Sequence, residues 1–301
     1  MATISAPAAT TGWRIWLMAA RPATLPASIA PVLVGTAAGV HDGSFILLPF
    51  VSALIAAVLI QIGANLANDL FDFEKGADTS ERLGPPRVTQ QGLASPRQVS
   101  LAMILSFSVA ATIGLYLITI GGWPILVIGV LCIAAGVAYT GGPWPLGYHG
   151  LGDLFVFLFF GLVAVIGSAY LQTGTLSPTA CAAALPVGCT VTAILVVNNL
   201  RDIETDRKAG KRTLAVRLGA PLTRAQYTLL LVLPYVLVAG FVMWGVFPYP
   251  GWLAWLTLPL AVSLIRTVLR GTEGRALNDV LKGTGQLHLF FGIALAGGLL
   301  L

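Results

Sequence analysis

Residues 45–72 read FILLPFVSALIAAVLIQIGANLANDLFD, an apolar run that closes on Asn65, Asn68, Asp69 and Asp72. About 20 apolar residues is the length that crosses a bilayer as a helix, so this stretch predicts a membrane span. Its ending is as informative as its length. Carboxylates are costly to keep at the end of a span, which points to a functional site. On a helix the four polar residues stand at i, i+3, i+4 and i+7 and project from one face.

The rest of the chain has the same character. Its 301 residues are 56% hydrophobic and 10% charged, with a mean hydropathy of +0.86, where a soluble domain carries about 25% charged residues. Apolar runs between turn and charge signals predict an all-α, polytopic membrane protein of nine spans in one domain, 1–301. The spans fall at 22–41, 45–70, 98–120, 122–140, 152–171, 179–201, 224–246, 251–270 and 284–301. Basic residues concentrate on cytoplasmic loops, and here all 17 Lys and Arg fall on one set of connections. The connections near 42, 121, 175 and 248 carry none. The expectation is a multi-pass protein of the cell (inner) membrane with a cytoplasmic N-terminus and a cytoplasmic-side active site. Met1 to Gly12 have no apolar core and do not read as a cleaved signal peptide.

Other readings are excluded in turn. The net charge of +5 follows from membrane orientation, and no nucleic-acid motif accompanies it. Cys132, Cys181 and Cys189 lie in apolar spans without paired spacing, so neither a disulfide framework nor a metal site is indicated. The stretch Gly141 to Gly147 lacks the Lys-Ser/Thr ending of a phosphate loop and reads as a rigid turn. Gly35 and Gly39 have the four-residue spacing that lets helices pack closely in lipid.

Asn199, Asp202 and Asp206 repeat the arrangement of the first cluster at the end of the sixth span. Packing spans two and six together would gather Asp69, Asp72, Asp202 and Asp206. Like charges so placed repel by several kcal/mol at low dielectric unless a cation neutralises them. Oxygen-only ligands select a hard ion such as Mg²⁺, which binds through one or two carboxylates plus substrate phosphates. Lys75, Arg87, Arg201, Lys208, Lys211 and Arg212 lie within a few residues of the carboxylates, as a diphosphate would require. The bland alternative is a set of solvated ion pairs at helix ends.

Asn68-Asp69-x-x-Asp72 and Asp202-x-x-x-Asp206 resemble the two motifs of the UbiA family of intramembrane aromatic prenyltransferases. The branch most resembled acts on 1,4-dihydroxy-2-naphthoate in menaquinone synthesis. Its marks are Arg21-Pro-x-Thr-Leu-Pro26, Asn65 to Asp78, Gly84-Pro-x-Arg87-Val-x-Gln-x-Gly92, Tyr139 to Asp153 and Asn198 to Gly219. Gly76 stands where the 4-hydroxybenzoate branch would carry a third aspartate, and Asp153 where this branch commonly has glutamate.

The resemblance implies a UbiA-type bundle that transfers a polyprenyl group from its diphosphate to the naphthoate ring, with loss of carbon dioxide and diphosphate. Asp69, Asp72, Asp202 and Asp206 would hold Mg²⁺, and Asn65, Asn68 and Asn199 would complete or orient that shell. Lys75, Arg87, Lys208 and Lys211 would meet the diphosphate. Arg21 or Arg87 would pair with the aromatic carboxylate, with Tyr139, Tyr148 and His149 lining the ring pocket, and the prenyl chain would lie among helices open to lipid. Another aromatic acceptor, such as 4-hydroxybenzoate, homogentisate or haem, is the near alternative. A cation-coupled transporter is the distant one, because such folds show inverted repeats and acids at the bilayer midplane, whereas these acids sit at one end.

Overall fold

The structure, a computed structural model, describes residues 12–77 and 82–301; Asp78 lies outside the described residues. Ten helices follow in order: α1 Gly12–Ala20, α2 Pro26–His41, α3 Leu47–Glu74, α4 Pro96–Ala138, α5 Gly152–Thr173, α6 Pro178–Arg201, α7 Ile203–Lys208, α8 Leu214–Met243, α9 Tyr249–Leu269 and α10 Gly274–Leu300. No strand occurs among the described residues. Starts are written into the sequence. Ser95 and Gln98 form a reciprocal capping box ahead of Pro96, and the Ser177 hydroxyl accepts from the Ala180 amide at 2.8 Å ahead of Pro178.

Seven of these helices are long and apolar enough to cross a membrane, and the α1–α2 pair, bent by 54°, makes an eighth. The ninth pass lies within α4. Its 43 residues would run about 65 Å as one rod, twice the hydrocarbon core of about 30 Å. Gly122 breaks it with φ 66° and ψ −155°, a conformation essentially confined to glycine. Counting two arms, the described residues make the nine passes predicted.

Cross-chain bonds fix which connections share an end. At one end, Lys75 donates to the Thr140 carbonyl, the Arg212 amide to Tyr148 O, Arg217 to His149 O, and Asn278 to Leu83 O. At the other, Ser44 donates to Gln172 O and Thr179 to Asp42. Every Lys-rich and Arg-rich connection therefore meets at one face.

Two boundaries differ from expectation. α8 begins at Leu214, with a break at Gly219, and α10 at Gly274, each ten residues before the predicted apolar window. Arg217, Arg224, Asp279 and Lys282 ended those windows, yet at a membrane interface a helix carries charge without leaving its hydrogen-bonded form. The early start of α10 puts Asn278 on its first turns.

Small residues set the close crossings. A Cβ at Gly35 would collide with the Val165 carbonyl, and one at Gly39 would stand 2.7 Å from Gln172 Cβ, so α2 lies flush on α5. Gly161 meets Gly188 where α5 meets α6, with a Cβ-to-Cα approach of 2.5 Å. There α5 widens into a π-helix over Phe157–Val163, a device frequent at functional sites. α6 is the most buried span. Around it Val187, Val197, Tyr227 and Phe291 form the main core, stitched by Tyr227–Thr284 (2.7 Å) and Thr190–His288 (2.8 Å).

Candidate active site

α3 delivers its polar residues to two different tasks. Asn65, Asn68 and Asp72 line a cavity of ≈ 530 Å³, whereas Asp69 does not. Both Asp69 oxygens accept backbone amides of the following loop, Val88 at 3.0 Å and Thr89 at 3.2 Å. All four aspartates were expected to hold the metal; Asp69 instead lies outside the cavity lining, and its carboxylate anchors the loop over the site. Asn65 donates to Ala20 O and Thr24 Oγ1, both at 2.9 Å, and so fixes the bend between α1 and α2. Asn68 accepts from Thr140.

Asp72 is the hub. It is 2% exposed and accepts from Arg87 Nη2 at 3.0 Å, Tyr148 Oη at 2.7 Å and Lys211 Nζ at 3.1 Å. Tyr148 thereby joins the cationic head rather than a separate ring pocket. Its ring lies beneath the ammonium groups of Lys75 (5.0 Å) and Lys211 (4.8 Å), where cation–π attraction is worth about 0.5–2 kcal/mol.

The second cluster is not one helical face. α6 ends at Arg201, Asp202 leaves the helix at φ −99° and ψ 9°, and α7 restarts at Ile203. Even so, Asn199, Asp202 and Asp206 all line the cavity. Arg201 grips Asp202 with two prongs, at 2.8 and 2.5 Å. The Asp206 carboxylate has no hydrogen bond among the described residues. Burial pushes it up to about 7; Lys211 pulls it down, while Asp202 and Asp72 push it further up.

Arg21 and Tyr139 line the same cavity. Arg21 sits in the left-handed region at φ 55°, at the turn before Pro22. The Tyr139 ring is held between Gly147 and Gly152, where added Cβ atoms would lie within 3.0 Å of it. Three of the expected site residues, His149, Lys208 and Lys75, lie outside the cavity lining. His149 accepts or donates at Pro145 O (2.9 Å) and stacks on Trp144 at 4.4 Å, so it braces its own loop. Lys208 is exposed on α7 and outside the cavity lining, and Lys75 is turned to the Thr140 and Gly142 carbonyls. Asn198 also lines the cavity; its place four residues before Asp202 was the signal for it.

From this head the cavity runs between α3, α4 and α5 along Ile60, Ile118, Ile133 and Phe159 to Ala53. Asp72 and Ala53 lie nineteen residues apart on one helix, about 28 Å. Leu115, Leu126 and Val130 line the bore yet are 46–65% exposed, so its side opens to lipid.

Such a cavity suits a lipid with an anionic head and a long hydrocarbon tail, and the chain belongs to the UbiA prenyltransferase family, which matches residues 28–279. Among its relatives, the 1,4-dihydroxy-2-naphthoate octaprenyltransferase of Escherichia coli K12 is 40% identical, covering 89% of each chain. The protein of the same name from Mycobacterium tuberculosis H37Rv is 41% identical over 94% of this chain and 96% of its own. A UbiA homolog from Aeropyrum pernix K1 has the same fold, with a TM-score of 0.70 at 14% identity over 89% of this chain and 96% of that one. A homolog from Archaeoglobus fulgidus, solved bound to GPP and Mg²⁺, gives 0.65 at 16% identity, covering 94% and 99%.

Proposed function

We propose that this protein transfers a polyprenyl group from its diphosphate to 1,4-dihydroxy-2-naphthoate, releasing carbon dioxide and diphosphate, in the cell membrane with the head of the cavity on the cytoplasmic side. The observation that carries it is the single cavity joining a head of Asp72, Arg87, Asp206 and Lys211 to an apolar bore about as long as a bilayer is thick. The naphthoate as acceptor rests on the two relatives' names at about 40% identity.

The donor set fits Mg²⁺. It is made of carboxylate and amide oxygens, the ligand type that Mg²⁺ takes through one or two carboxylates plus substrate phosphate, and no group of three or more His, Cys, Asp or Glu gathers among the described residues. Asp72, Asp202 and Asp206 would hold one or two ions, no more than two carboxylates to each, with Asn68 and Asn199 beside them; Asp69 lies outside the cavity lining. When bound, Mg²⁺ supplies positive charge to the departing diphosphate oxygens.

Arg87 and Lys211 are already fixed by Asp72, so they meet the diphosphate without reorganising, which is what makes such charges effective on a leaving group. Arg21 offers a guanidinium to the aromatic carboxylate. Tyr139, on the cavity lining, offers a phenol hydroxyl to the acceptor. The apolar bore keeps water from the allylic cation.

Membranes given Mg²⁺, 1,4-dihydroxy-2-naphthoate and a polyprenyl diphosphate should yield a prenylated, decarboxylated quinol and diphosphate, and chelation by EDTA should silence the reaction. Prenylation of 4-hydroxybenzoate instead would refute the acceptor; turnover in chelator would refute the metal.

A further inference from the structure

The side chain of Arg201 is wholly buried behind Asp202, outside the cavity lining. Nε and Nη2 bond the two Asp202 oxygens, Nη2 also donates to Asn198 Oδ1 at 2.9 Å, and Nη1 donates to Asn278 Oδ1 at 2.8 Å. Asn278, on the first turns of α10, uses its other end on the loop after α3: Nδ2 donates to Leu83 O at 3.0 Å. Beside that bond a Cβ at Gly84 would stand 2.8 Å from Arg201 Nη2, so loop backbone lies directly against the guanidinium. One amide ties together the last helix, the end of α6 and the loop over the site.

We infer that Asn278 is a positioning residue for the diphosphate head. It holds the Arg201 fork in register with Asp202 and pins residues 82–84 beside it, so that Asp202 keeps its remaining lone pairs toward the cavity. This rests on the reading of Asp202 as part of a head that binds Mg²⁺ and diphosphate. A carboxylate has about four lone-pair sites; Arg201 takes two and leaves the others for the cavity. The guanidinium is a rigid fork. Without the Asn278 oxygen, Nη1 faces a buried gap, the fork rotates, and Asp202 turns with it. Outer partners of ligating carboxylates change metal affinity or activity by about 10–100-fold when removed.

The experiment compares wild type with Asn278→Ala in detergent. Mn²⁺ binding is followed by EPR in the presence of a non-reacting prenyl thiodiphosphate, alongside steady-state KM and kcat and the melting temperature. The expected result is a roughly tenfold weaker Mn²⁺ affinity and a matching rise in KM for prenyl diphosphate, with the KM for the aromatic acceptor little changed and the melting temperature lowered, since Arg201 Nη1 loses a buried partner. Gly84→Ala, on the loop, pushes on the same guanidinium at Nη2 and should shift Mn²⁺ binding in the same direction; it serves as the test should Asn278→Ala fail to fold. In an Arg201→Lys background, Asn278→Ala should have a smaller effect than in wild type, because only the bond to Leu83 O is left to lose. Unchanged Mn²⁺ affinity in both single variants, or an undiminished effect in the Arg201→Lys background, overturns the inference. Wild type that binds neither Mn²⁺ nor the analogue would instead overturn the reading of the head itself, whichever acceptor the enzyme uses.

Discussion

Two aspartates that look alike in the sequence differ in what they hold. Asp72 carries Arg87, Tyr148 and Lys211, so Asp72→Asn should cost both activity and stability. Breaking a buried pair costs about 3–5 kcal/mol because the partner is left uncompensated. The Asp206 carboxylate makes no hydrogen bond among the described residues, so Asp206→Asn should lower prenyl transfer by about a hundredfold and leave the melting temperature near wild type. Turnover and thermal melting in detergent, read together, check this; an Asp72→Asn protein as stable as wild type would show that the hub is not structural. The sequence made both residues candidates, but their different partners were not legible in it, because Lys211 lies 139 residues from Asp72.

At the scale of elements, glycines decide where helices turn and touch. Gly122 sits in backbone space that a side chain strains, so Gly122→Ala should lower stability by about 1–3 kcal/mol. Gly297, in α10, has open space where a Cβ would stand, and Gly297→Ala should be neutral or stabilising by up to about 1 kcal/mol. Chemical denaturation of the two variants in matched micelles tests the contrast; equal effects would remove Gly122 as the reason α4 folds back. The Gly35 and Gly39 spacing was readable beforehand, and α5 is the partner it serves. The π-helix in α5 left no sequence signal; it lies where Gly161 abuts Gly188, a contact between residues far apart in the chain.

For the whole molecule, the charge pattern is a prediction about sides. With cysteines placed at Gly43 and Gly210 in a background lacking the native three, a membrane-impermeant maleimide should reach Gly210→Cys only from the cytoplasm and Gly43→Cys only from the opposite side. Labelling of both from one side would refute the nine-pass topology.

The sequence by itself determined an all-helical chain of many membrane spans and the common face of the basic connections, and it pointed to two acidic motifs as the candidate site. Those properties are local: span length and charge near a span end depend on residues adjacent in the chain. Only the tertiary structure decided that Asp69 serves the loop, that Tyr148 belongs to the cationic head, that His149 and Lys208 stand outside the cavity, and that Asn278 reaches the site across 195 residues to Leu83. A carboxylate or an amide is the same group wherever it occurs; which of its lone pairs and protons are taken is fixed by neighbours that only folding brings within about 3 Å.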